Sequence, residues 1–262
     1  MAELLIRNSS VGFIKAIIFD KDGTLSNSED HLVELAKTRI DFSENKFKDL
    51  KINNIKIWLL RRLLVSLYGL RKNSLLANSS LAIASREHNI ISTATIFTLF
   101  GFDWFKSLSM GQKIFEEVDI FLSNQKDNIQ KQRTLISGAL DLLLTLKNKG
   151  VYIALMTNDT EEGIEEFIHR NKLKGIFDYF WSAEKKPSKP SPEAVIELCK
   201  KMNLKASECA LISDADTDLK MAKEADIKFV IGFTGGWKNH PTLTEQRFSI
   251  EKLNELKIHS SV

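Results

Sequence analysis

Hydrophobic and polar positions follow two different rhythms along this chain. Around residues 16–25, and again from Gly138 onward, short apolar runs alternate with amphipathic stretches and turn residues. That is the pattern of strands and helices following one another through a doubly wound sheet. In the later part it predicts a helix over 139–149 closed by Gly150, a buried strand over 151–156 and a helix over 161–171. It continues with an extended stretch at 179–182, a helix at 192–202, a strand at 209–212, a helix at 217–225, a strand at 229–232 and a closing helix near 250–256. Between the two parts, apolar residues recur every third or fourth position with few prolines or glycines. This predicts helices over 29–40, 57–67, 75–88, 93–100 and 106–132.

The fold class expected is therefore α/β. A parallel doubly wound sheet is built from residues 1–26 and 138–262, and an all-helical domain spans 27–137. The length of 262 residues, 43% of them hydrophobic, suffices for one large core or two ordinary domains. The formal charge of +3 is too small a bias to argue for a nucleic-acid partner. The excess of positive charge lies in the middle segment, where it could help attract an anionic substrate. Two cysteines, Cys199 and Cys209, imply no disulfide framework. The most apolar stretch, 55–70, is interrupted by Lys56, Arg61 and Arg62, so no membrane span is expected and a cytoplasmic location is the default reading.

The chemistry concentrates where strands end. Ala16–Phe19 runs into Asp20, Lys21, Asp22, Gly23 and Thr24, which presents two carboxylates at the edge of a parallel sheet, where such sheets hold ligands. One carboxylate can attack phosphorus while its neighbour gives and takes a proton. Two anions side by side next to a phosphate require a divalent cation and nearby donors. A calcium loop is excluded by spacing, since its sixth position would be Leu25 instead of glycine and its twelfth His31 instead of glutamate. An ordinary Asp-rich turn remains open for this segment taken alone.

Further candidates follow later strands in order. Thr157 and Asn158 could donate to phosphate oxygens, or simply cap a helix. Lys189, or Lys186 three residues earlier, could neutralise the nucleophile and the transferring phosphoryl group. Asp214 and Asp218 offer hard oxygen ligands for Mg²⁺, while Asp216 suits a helix cap.

Together these residues resemble the haloacid dehalogenase superfamily. Residues 20–25 match its first motif, Thr157 its second, Lys189 its third, and Asp214 with Asp218 its fourth. Ser213 stands where the fourth motif commonly has glycine. The resemblance implies a Rossmann-like core, Asp20 as nucleophile and Asp22 as acid/base. It also implies Mg²⁺ held by the Asp20 side chain, the Asp22 backbone carbonyl and Asp214, with Asp218 in or behind that set. Members that displace halide lack a carboxylate at the position of Asp22, so its presence points to phosphoester chemistry. The 27–137 insertion resembles the helical caps of members acting on small soluble phosphates. The expectation is a Mg²⁺-dependent phosphatase of a small phosphorylated metabolite, of the phosphoglycolate phosphatase type. A phosphomutase, or a non-catalytic protein that binds such a metabolite, are the alternatives. Arg61, Arg62, Arg71, Arg86 and His88 are candidates for substrate contact or for a solvated helix surface. Oligomeric state is not legible.

Overall fold

The structure, a computed structural model, describes residues 1–124 and 134–260. It divides into two compact units, one of residues 1–27 with 134–262 and one of residues 28–133. In chain order the elements are β1 (Ala2–Ile6), β2 (Ser9–Ile14), β3 (Ala16–Phe19), α1 (Glu29–Asp49), α2 (Asn54–Leu67), β4 (Leu70–Arg71), β5 (Ser74–Leu75), α3 (Ser80–Ile83), α4 (Arg86–Thr98) and α5 (Trp104–Ser123). They continue with α6 (Ala139–Asn148), β6 (Tyr152–Met156), α7 (Glu161–Arg170), β7 (Tyr179–Trp181), α8 (Pro192–Lys201), β8 (Cys209–Ser213), α9 (Asp216–Glu224), β9 (Phe229–Phe233), β10 (Phe248–Ile250) and β11 (Leu256–Ser260).

Six parallel strands form the main sheet in the order β10-β9-β8-β3-β6-β7. Successive side chains on a strand point to opposite faces, and the burial divides accordingly. Ile17, Phe19, Ile153, Leu155, Ala210 and Ile212 face α6 and α7, packing on Leu142, Leu143, Leu146, Ile164 and Phe167. Ala16, Ile18, Ala154, Met156, Cys209 and Leu211 face α8 and α9, packing on Val195, Leu198, Leu219 and Ala222. Helices on both faces explain why the central strands read as continuous apolar runs. Residues 134–136 rejoin this unit: Leu135 bridges to Ser26, and the Ile136 N–H donates to the Leu25 carbonyl at 2.8 Å.

The expected closing helix at 250–256 is replaced by β10, a single 3₁₀ turn at Leu253–Glu255, and β11. Leu256 and Ile258 are buried while Lys257 and His259 are exposed, a period of two that suits a strand. β11 pairs antiparallel with β1, which pairs with β2, in a three-stranded sheet not expected from the sequence. The β1–β2 turn places Arg7 and Asn8 at φ 51° and 65°, the left-handed pair of a tight hairpin, but without the glycine that usually announces one.

Residues 28–124 of the second unit are mainly helical. Val33, Ala36, Ile40, Ser43 and Phe47 of α1 form one buried stripe, and Met110, Ile114, Phe115, Val118 and Leu122 of α5 another. The expected helix over 75–88 is broken: Leu75 ends the β4–β5 ribbon, helix is confined to the short α3, and it resumes at Arg86. The Ser85 hydroxyl accepts from the His88 N–H and so sets the start of α4. That helix takes in 93–98 of the expected 93–100 segment and ends at Thr98. Asp103 likewise caps α5 by accepting from the Lys106 N–H. The expected continuation of α5 through 125–132 lies outside the described residues.

Candidate active site

The register of the central strands brings the motif residues to one edge. Phe19 is level with Leu155 on one side and Ile212 on the other, so Asp20, Thr157 and Asp214 leave the sheet as neighbours at its carboxyl end. The Asp20 N–H donates to the Ile212 carbonyl at 3.0 Å, extending the ladder by one residue before the chain turns. The Lys21 carbonyl then accepts from the N–H groups of Leu25 at 2.9 Å and Ser26 at 2.8 Å, closing a tight loop. Gly23 has φ 81°, and a Cβ there would run into the Asp214 carboxylate and the Trp237 indole. Glycine is therefore needed twice, for the turn and for the close approach.

Three linked clusters make up the site. In the first, the Lys189 Nζ lies 2.6 Å from Asp20 Oδ1 and 2.6 Å from Asp218 Oδ2, and the Ser213 hydroxyl donates to Asp218 Oδ2 at 3.0 Å. Lys189 is buried and Lys186 is exposed, so of the two candidates it is Lys189 that turns inward. Ser213 in place of glycine thus adds a hydroxyl that secures Asp218. In the second cluster, Asp214 accepts from the Thr24 hydroxyl on Oδ1 at 2.7 Å and from the Trp237 indole N–H on Oδ2 at 2.6 Å. In the third, the buried Lys21 ammonium meets Asp159 Oδ2 at 2.6 Å and Asp22 Oδ2 at 3.0 Å. Thr157 is buried, and its hydroxyl accepts from the Asp159 N–H at 3.1 Å. Asn158 follows it, half-buried. Asp216 faces elsewhere: it accepts from the N–H groups of Thr244 at 2.8 Å and Glu245 at 3.0 Å and holds that loop.

Burial pushes the Asp20 carboxyl well above the usual carboxylate range; Lys189 opposes this, and Asp218 and Asp214 add to it. Burial likewise pushes Asp214 up to about 6, against the hydrogen bonds from Thr24 and Trp237. For Lys189 burial acts to lower the pKa, but Asp20 and Asp218 outweigh it and the ammonium is held more firmly than usual.

Among the described residues no three His, Cys, Asp or Glu side chains form a metal cage. The charge balance nevertheless fits a divalent cation. Asp214 and Asp218 are buried, the Asp20 side chain is 14% exposed, and Lys189 is the ammonium that bridges Asp20 and Asp218. Three carboxylates against this one ammonium leave surplus negative charge, and Asp214 acts electrostatically to raise the Asp20 pKa. Mg²⁺ is held by one or two carboxylates together with water and substrate oxygens and needs no all-protein cage.

Sequence reading missed Trp237, Lys21 and Asp159 as members of these clusters. Trp237 comes from the loop after β9, and only its position in space connects it with Asp214.

A family model for haloacid dehalogenase-like hydrolases matches residues 14–226. The chain belongs to this family. Among curated proteins, this haloacid dehalogenase-like hydrolase is 28% identical over 110 residues to a phosphoglycolate phosphatase of Pseudomonas fluorescens, covering 42% of this chain and 40% of that protein. An uncharacterized hydrolase of Saccharomyces cerevisiae is 27% identical over 128 residues, covering 45% and 56%. The chain thus spans about half the length of these curated relatives. Among solved structures, a predicted phosphoglycolate phosphatase from Haemophilus somnus superposes with TM-score 0.62 at 18% identity, over 91% of this chain and 94% of that one. A β-phosphoglucomutase from Clostridium difficile gives TM-score 0.62 at 20% identity, over 94% of each chain. At these identities the structures establish the shared fold.

Proposed function

We propose that the protein is a Mg²⁺-dependent phosphatase acting on a small phosphorylated metabolite through a phosphorylated Asp20. The observation that carries this reading is the Lys189 ammonium 2.6 Å from Asp20 Oδ1, with Asp22 two residues on in the same loop. The ammonium can neutralise both the attacking carboxylate and the incoming phosphoryl group. An Asp20 oxygen bonds to phosphorus as the ester bond breaks, and the departing alkoxide takes its proton from Asp22. Asp22 then removes a proton from the water that attacks the phosphoaspartate, releasing inorganic phosphate and regenerating Asp20. Thr157 and Asn158 supply donors for the phosphoryl oxygens. Asp20, Asp214 and the Asp22 backbone carbonyl would hold Mg²⁺, with Asp218 supporting through Lys189. When bound, the ion supplies positive charge that offsets the carboxylates and the phosphate.

The helical insertion after the first motif resembles those of family members acting on small soluble phosphates, which supports a small substrate. The curated relatives named phosphoglycolate phosphatases make phosphoglycolate the first ester to test. A screen of two- to six-carbon phosphates and nucleotides with Mg²⁺ should show phosphate release in step with substrate loss, and none from Asp20→Asn. Turnover by wild type no greater than by Asp20→Asn across the panel would sink the reading. Substrate rearrangement without free phosphate would replace it with a phosphomutase.

A further inference from the structure

The Lys21–Asp159 pair lies outside the roles assigned above, yet it touches one of the reacting groups. Lys21 sits between Asp20 and Asp22 in sequence, but its ammonium meets Asp22 and Asp159 at 3.0 and 2.6 Å, and its side chain is only 4% exposed. The two carboxylates it touches are each about 30% exposed, so the cation is the buried partner of the three. Asp159 is itself fixed. Its Oδ1 accepts from the Thr160 N–H at 2.8 Å, and its own N–H donates to the Thr157 hydroxyl at 3.1 Å.

Gly163 completes the arrangement. It lies in the first turn of α7 with ordinary helical backbone, where alanine is preferred on propensity. A Cβ at this position would collide with the Asp159 carboxylate. The glycine therefore leaves room for Asp159 to reach Lys21. A continuous set of contacts runs from α7 through Asp159 and Lys21 to Asp22, joining the loop after β6 to the loop after β3.

We propose that Lys21 is a positioning residue: anchored by Asp159, it holds the Asp22 carboxylate in the orientation needed to serve the leaving-group oxygen. A half-buried aspartate on a turn has several open rotamers, and a charge-assisted contact to an immobile ammonium selects one. This rests on the role given to Asp22 above. It predicts a defect tied to the leaving group: alkyl phosphates need a proton at the departing oxygen, whereas p-nitrophenolate departs without one.

The experiment compares an alkyl phosphate with p-nitrophenyl phosphate in wild type, Lys21→Met, Lys21→Arg and Asp159→Asn. Lys21→Met should lower kcat/KM, which extends only through departure of the leaving group, by about 10- to 100-fold for the alkyl ester and by less than about 3-fold for the aryl ester, whereas slower hydrolysis of the shared phosphoaspartate lowers kcat on both. Asp159→Asn should move the same ratio less, and Lys21→Arg should retain most of the alkyl activity. Equal losses of kcat/KM on both esters would overturn the proposal. Crystal structures of wild type and Lys21→Met provide a second arm that needs no turnover. The Asp22 carboxylate should leave its wild-type rotamer in the variant, and an unchanged rotamer would also overturn the proposal. If wild type hydrolyses nothing, the phosphatase reading fails while this structural arm still decides the positioning role.

Discussion

The indole N–H of Trp237 donates to Asp214 Oδ2 at 2.6 Å while the Thr24 hydroxyl holds Oδ1 at 2.7 Å. Both oxygens of a buried carboxylate are thereby oriented by neutral donors, which leave its charge available for a cation. Groups standing behind a metal ligand typically affect metal affinity by 10- to 100-fold. Trp237→Phe keeps the ring and removes the donor, and should raise the Mg²⁺ concentration for half-maximal phosphatase activity by about 10-fold or more. An unchanged Mg²⁺ titration would show that Trp237 only packs.

Lys189 neutralises two buried carboxylates at once. Lys189→Met would leave Asp20 and Asp218 uncompensated, and should cost about 3–5 kcal/mol of stability as well as all turnover. The double variant Lys189→Met with Asp218→Asn should recover part of that stability without recovering activity. Urea unfolding of the two variants beside wild type measures the difference.

Asp214 gives a pH signature in the absence of a divalent cation. Burial raises its pKa from the ordinary 3.8 to about 6, so between those values the unfolded chain has lost a proton that the folded protein still binds. The stability this provides is fully present below about pH 4 and is lost as pH rises through about 6. In EDTA, Asp214→Asn should remove that decline, and Mg²⁺ should offset it in wild type. Thermal unfolding between pH 4 and 7 gives the comparison, and parallel curves for wild type and Asp214→Asn in EDTA would contradict the assignment.

Arg39 is a cost carried inside the helical unit. Its guanidinium lies 3.7 Å from the Phe115 ring centroid, its Nε has no hydrogen-bond partner among the described residues, and burial lowers its pKa to about 10. Stacking on the ring offsets only part of the desolvation penalty. Arg39→Met, which keeps the packed stem, should stabilise the protein by about 1 kcal/mol in chemical denaturation. A loss of that size would mean the guanidinium makes a favourable contribution beyond its packing. The arginines singled out from sequence are partly accounted for on the surface, since Arg61 pairs with Asp41 and Glu44, and Arg86 with Asp119.

The sequence alone determined the α/β class and the order of the motif residues, because those depend on local periodicity and on short motifs at strand ends. Periodicity was weakest where elements were short or depended on a distant partner. β11 is a strand because β1 stands beside it, and the β4–β5 ribbon is only two residues on each side. Tertiary structure decided which of Lys186 and Lys189 enters the site, and it brought Trp237 to Asp214 and Asp159 to Lys21 across 23 and 138 residues of chain. No spacing rule encodes such contacts. They arise where strand register and a glycine without a Cβ let separate loops approach closely enough for their polar groups to meet.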